Sequence, residues 1–256
     1  IEVLGEIDDP GMEIEIAVRK FEVPVDFSEK ALKQAARIPA KVKPSEYKGR
    51  VDLRDVPFIT IDGEDARDFD DAVYCERVDI GTGKRSRWAW RLLVAIADVS
   101  HYVRSGDALD EDALERGTSV YFPRRVIPML PESLSNGICS LNPSVDRLVM
   151  VCDMVVLADG AKSGTVSAYQ FYEAVIHSHA RTTYSDIWSA LQQPTGPAAT
   201  QMQHVLEPVQ NLYSLYRLLA ERRTARGAID FDTVETKIVC NPLGRIERIE
   251  PLVRND

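Results

Sequence analysis

Cysteine is scarce in this 256-residue sequence: four residues, at 75, 139, 152 and 240, with no CxxC pair among them. That spacing lacks the usual zinc and dithiol signatures. Three of the four lie in strand-like or apolar settings. Buried free thiols are therefore expected rather than disulfides or metal ligands, as suits a reducing cytoplasm. No apolar run approaches the length of a membrane span, so no membrane partner is expected. No basic stretch with an apolar core follows Ile1, so no secretory leader is read. The ends carry no start or stop signals, and the sequence is read as a fragment. Internal repeats and low-complexity tracts are also missing. Positive charge is the minority, with 31 Lys and Arg against 40 Asp and Glu, a net charge of −9 and a pI near 5.1. Taken alone, that balance argues against a nucleic-acid partner, although a local basic track can coexist with it. With 45% hydrophobic residues the chain can bury a core and is not of disordered composition. Its length allows one large domain or two smaller ones.

What is present is a concentration of acid. Asp62-Gly-Glu-Asp-Ala-Arg-Asp-Phe-Asp-Asp71 holds six acidic residues: Asp62, Glu64, Asp65, Asp68, Asp70 and Asp71. Short apolar, β-branched stretches flank it, Pro57 to Ile61 before and Ala72 to Cys75 after. Two strands joined by an acidic loop are predicted. Close carboxylates repel, and burial worsens the repulsion. Either the loop is fully solvated, as blocks of like charge often are, or a hard divalent cation compensates it. An EF-hand is excluded, because the position that must be glycine is Arg67.

Along the chain, Met12 to Phe21 alternates and predicts a strand. Ser28 opens a helix over Phe27 to Ile38. Prolines, a glycine and lysines between Pro39 and Gly49 mark a linker, with a boundary near residue 48. Gly81 to Arg87 reads as an exposed basic hairpin tip, followed by a strand from Trp88 to Ala97. A helix is predicted from Leu109 to Gly117, with Asp107 near its start. Leu148 to Leu157 and Gly164 to His177 form a strand pair, and Tyr184 to Leu191 a short helix. A helical stripe runs through 198–226 with a kink at Pro208. Strands return at Ile229 to Val239 and Arg245 to Ile249. This order argues an α+β fold. His177 and His179 share one side of a strand, but no further ligand pair accompanies them. His101 near Asp98 lacks a nucleophile.

The acidic run reads Asp62-x5-Asp68-x-Asp70-Asp71. With its flanks, Thr60 to Val73, it resembles the signature of the RNB catalytic domain, the ribonuclease II and ribonuclease R family of exoribonucleases, and is nearest the ribonuclease R branch. Ala95 to Ser100, Gly117 to Pro123, Ile127 to Pro131 and Leu134 to Pro143 resemble the family in the same order. The resemblance implies a mixed, largely antiparallel sheet packed with helices over residues 49–256. Before it would come a helical linker over 26–48 and, over 1–25, the end of a cold-shock, OB-fold β-barrel.

The resemblance also implies a reaction: processive 3′-to-5′ hydrolysis of RNA to nucleoside 5′-monophosphates. It implies magnesium, with manganese as a substitute, held by Asp62, Asp68, Asp70 and Asp71. These four are the expected catalytic residues, with Asp70 the least replaceable. Glu64 and Asp65 are expected to be exposed or hydrogen-bonded instead. Stacking of the terminal bases falls to Tyr121 and Phe231, with Tyr184 and Arg181 as further RNA contacts; core packing is the rival role for the aromatics. A family arginine and glutamate are expected beyond Asp256, so the 256 residues alone should be weakly active or inactive. RNA is the expected partner, in the cytoplasm, with the protein a monomer. The alternative is a non-catalytic RNA-binding relative that keeps the fold.

Overall fold

The computed structural model of the chain describes residues 3–6, 9–82, 86–229 and 235–251. In chain order its elements are α1 (Met12–Lys20), α2 (Glu29–Ala35), β1 (Val51–Asp52), β2 (Ile59–Asp62), β3 (Asp71–Asp79) and β4 (Trp88–Ala97). Then follow α3 (Ala108–Arg116), β5 (Val120–Phe122), β6 (Arg125–Ile127), β7 (Asp146–Leu157), β8 (Val166–His177) and β9 (Ala180–Thr183). The chain closes with α4 (Tyr184–Gln192), α5 (Pro197–Gln201), α6 (Leu206–Ala225), β10 (Thr236–Cys240) and β11 (Ile246–Pro251). They fall into two compact units that interleave in sequence.

The first unit draws on Ile1–Ile38, Val103–Ser135 and Asp230–Asp256. It contains α1 to α3 and two antiparallel hairpins, β5–β6 and β10–β11. The predicted strand over Met12 to Phe21 is instead the helix α1. Alternation over so few residues does not separate the two periods, but the charges do. Glu13 and Glu15 sit in the first turn and Arg19 and Lys20 in the last, matching the helix dipole. Glu15 and Arg19 pair one turn apart at 2.9 Å, while Met12 and Val18 are buried. Among the described residues of 1–25 no strand of an OB-fold barrel is seen. The helix expected near Phe27 begins one residue after Ser28, whose hydroxyl accepts the Ala31 N–H at 3.1 Å. Asp107 caps α3 in the same way, and Gly117 ends it at φ 72°, which glycine adopts without strain.

The second unit, Pro39–Tyr102 with Asn136–Ile229, is built on a seven-stranded sheet in the order β1-β8-β7-β4-β3-β2-β9. The pairs β2–β3, β3–β4, β4–β7 and β7–β8 are antiparallel, while β1–β8 and β2–β9 are parallel. This is the expected mixed, largely antiparallel sheet with helices. The central strands are covered on both faces. Phe58, Phe69, Ala72, Leu93, Ala95, Leu141, Val149 and Val151 form one core. On the other face Ile59 packs with Ala190, Met202, Val205 and Val209, and Cys75 with Leu215. The predicted single helix over 198–226 is two, α5 and α6. Pro208 stands in the first turn of α6, where its missing N–H has no intrahelical partner to lose, so it does not act as a kink.

Candidate active site

The acidic turn joins β2 to β3. Asp62 is the last residue of β2, in parallel register with Thr183 of β9. Asp71 opens β3 opposite Ile96 of β4. Between them, the main chain is held at Phe69. Its N–H donates to Ser140 Oγ at 3.0 Å, its carbonyl accepts the Leu141 N–H at 2.8 Å, and its ring is buried. The next carbonyl, that of Asp70, accepts the Ala97 N–H at 2.9 Å, continuing the β3–β4 ladder. A buried ring thus fixes the backbone between Asp68 and Asp70. Their side chains leave a pinned main chain rather than a free loop.

Electrostatics ties all four aspartates together. Burial raises the pKa of Asp62, and the charge of Asp71, then those of Asp68 and Asp70, push the same way, while Arg181 opposes. Asp70 is raised by desolvation, then by Asp68 and Asp71. Its residue surface is open to solvent, so water screens part of that repulsion. Asp62 carries a second mark: its Oδ2 is buried and has no hydrogen-bond partner. A buried anionic oxygen without a donor is costly, and native folds rarely leave one. Glu64 and Asp65 are exposed, as expected.

The donor set is all carboxylate, which suits a hard, oxygen-seeking cation. Among the described residues no group of three acids, histidines or cysteines already closes into a ligand cluster. Magnesium does not demand one. It keeps several waters and binds through one or two carboxylates plus substrate phosphate. The orphaned Asp62 oxygen and the mutual repulsion of its neighbours fit such an ion.

The other predicted residues separate. Arg181, on β9, donates through Nη2 to the carbonyls of Glu64 at 2.9 Å and Ala66 at 3.3 Å, and its guanidinium lies 5.1 Å from the Phe69 ring centre. It grips the acidic turn. Tyr184 follows Thr183 at the start of α4 and is 65% exposed. Tyr121 lies on β5 of the first unit, opposite Val126, and is 61% exposed, which speaks against simple core packing. Phe231 lies outside the described residues, as do 83–85 of the basic hairpin tip. His177 Nδ1 meets Asp146 Oδ1 at 2.9 Å and His179 Nε2 meets the Arg54 carbonyl at 3.1 Å, so both rings have structural partners. Asp98 bonds to Arg50 and Ser100, and His101 to Glu46, so no dyad forms. The cysteines are free thiols; burial pushes Cys75 and Cys139 up to about 12. Sequence reasoning missed Phe69 and Ser140, which pin the turn.

The chain matches the RNB domain model over residues 50–256. It is 51% identical to ribonuclease R of Vibrio parahaemolyticus and 50% identical to that of Escherichia coli, in each case over all 256 residues. It spans only 29% and 30% of those relatives' lengths. Its fold superposes on Mycoplasma genitalium RNase R in complex with double-stranded RNA with a TM-score of 0.87 and 30% identity, covering 100% of this chain and 43% of that one. A domain match over most of the chain, together with likeness in sequence and fold along its whole length, places it plainly: this chain belongs to the RNB domain family.

Proposed function

We propose that the chain is the acid-bearing catalytic portion of a magnesium-dependent exoribonuclease that shortens RNA from its 3′ end and releases nucleoside 5′-monophosphates processively. The observation that carries this is the acidic turn itself: four mutually repelling aspartates on a pinned backbone, one with a buried oxygen lacking any donor. The relatives' names, and the RNA in complex with the Mycoplasma protein, support RNA as the substrate.

In this reading Asp62, Asp68, Asp70 and Asp71 hold the cation, and manganese substitutes for magnesium. Divalent ions there supply a polarised water and stabilise charge on the phosphate and the departing oxygen. The chain's own contribution is placement. Phe69 and Arg181 hold the turn so that the acids need not reorganise during reaction. Tyr121 and Phe231 are proposed to stack the terminal bases, which suits a nuclease indifferent to sequence, since every base has a π-face. Tyr184 and Arg181 are proposed as further RNA contacts. The protein would act as a cytoplasmic monomer.

A second reading, an RNA-binding relative without cleavage, draws on the lack of a preformed ligand cluster among the described residues. The two part on one experiment. In the intact protein carrying this chain, magnesium or manganese should support digestion of a 3′-labelled oligoribonucleotide and calcium should not. Asp70→Asn should abolish cleavage and leave RNA binding in place. Cleavage that persists in Asp70→Asn removes these aspartates from the chemistry. No cleavage by the unsubstituted protein under any metal favours the second reading.

A further inference from the structure

Arg147 opens the apolar strand β7 as its second residue, and its side chain is buried, 6% exposed. A buried guanidinium is expected to meet a carboxylate. This one instead donates to three main-chain carbonyls: Nε to Ser140 at 2.7 Å, Nη2 to Gly137 at 2.9 Å and Nη1 to Asp146 at 2.9 Å. Burial pulls its pKa down. A cation held at that cost has a purpose, and the turn it grips shows which. Ser140 and Leu141, both fully buried, are the two residues that bond the N–H and the carbonyl of Phe69. Phe69 lies between Asp68 and Asp70. From the guanidinium to the acids the path is short, two hydrogen bonds joined through one buried residue: fork, carbonyl of Ser140, hydroxyl of Ser140, N–H of Phe69.

We propose that Arg147, acting through Ser140 and the Phe69 main chain, is a positioning residue that sets the separation of Asp68 and Asp70. The planar fork matters more than the charge. It reads three carbonyls at fixed angles, and a lysine ammonium, a point donor on a flexible stem, cannot. Ser140 is the relay. Its oxygen is the acceptor for Phe69, and its carbonyl is the acceptor for Arg147. This rests on the metal reading of the acidic turn given above.

The test uses the intact protein carrying this chain and three variants: Ser140→Ala, Arg147→Lys and Asp70→Asn. Manganese binding is measured without RNA, from the electron paramagnetic resonance signal of the free ion. The kcat and KM for a single-stranded oligoribonucleotide are measured beside it, and a thermal melt checks folding. Ser140→Ala removes one oxygen and is the variant expected to fold. Partners that orient ligands from behind are typically worth 10- to 100-fold in metal affinity or activity. Ser140→Ala and Arg147→Lys should therefore weaken manganese binding by roughly 10-fold or more and lower kcat, with KM for RNA unchanged. If both variants bind manganese and turn over within about twofold of the parent, below the range given for such partners, while Asp70→Asn loses the metal, the positioning role is gone and the metal site stands. A lowered melting temperature with unchanged manganese affinity also overturns it, since it leaves only a structural part. If Asp70→Asn binds manganese as the parent does, the metal reading fails first.

Discussion

Substituting Asp62→Asn should change the sign of its effect on stability when metal is added. The side chain keeps its shape but loses its charge. In the native chain Asp62 Oδ2 is buried without a donor, and Asp68, Asp70 and Asp71 all repel the carboxylate. An unsatisfied buried polar group costs about 1–3 kcal/mol. The amide that replaces it presents N–H groups to acceptors instead. Because part of the site is open to water, the low end applies, and without metal the variant should be more stable by about 1 kcal/mol. For a protein of this size that is about 2–4 °C in melting temperature. With a divalent ion at a hundred times its Kd, the parent gains about 2.7 kcal/mol, and the variant, lacking a ligand, gains less. Thermal melts in chelator and in excess magnesium at neutral pH make the comparison. Asp62→Asn should melt above the parent in chelator and below it in magnesium. A variant that melts lower in both buffers, or one that magnesium shifts as far as the parent, refutes the reasoning.

Two further outcomes test the frame around the site. Arg181→Met should free the carbonyls of Glu64 and Ala66 and remove the contact with the Phe69 ring, at about 1.5 kcal/mol, the low end for bonds to a charged group because Arg181 is exposed. Amide hydrogen exchange should quicken over 63–68 and stay unchanged in β7; uniform exchange across both would show that Arg181 does not brace the turn. Asp153, buried on β7, receives Arg91 through two bonds of 3.1 and 2.7 Å, and that pairing holds its pKa below the ordinary carboxylate value against the opposing pull of burial. The contribution of a depressed carboxylate is present above its unfolded pKa and lost as pH falls through the folded one. Stability should therefore drop on acidification below the usual carboxylate range, and Asp153→Asn should flatten that drop while costing about 1.5 kcal/mol at neutral pH, the low end for bonds to a charged group, because Arg91 is partly exposed and keeps Glu76. A pH profile that keeps its slope in the variant would assign the acid sensitivity elsewhere.

The sequence by itself determined the central sheet strands and the place of the acids. Strands β3, β4, β7 and β8 are long alternating or apolar runs, and period two leaves them little choice of face. The caps of α2 and α3 were legible because Ser28, Asp107 and Gly117 act on residues within a turn of themselves. The acidic turn was legible for a similar reason: its carboxylates are contiguous in the chain. Tertiary structure decided what rests on distant partners. Alternation over Met12 to Phe21 suits either period; its charges favour the helix, and the helix is held where Arg125 of β6 pairs with Glu15 and Met12 and Val18 find a core. Arg181 shows the same limit. The family resemblance suggested an RNA contact, and only the β2–β9 pairing brings it onto the carbonyls of the turn. The clamp on Phe69 comes from Ser140, 71 positions further along, and Ser140 is itself held by Arg147. Hydrogen bonds between residues so far apart leave no period, spacing or charge pattern in a sequence, because chain folding alone brings their ends together.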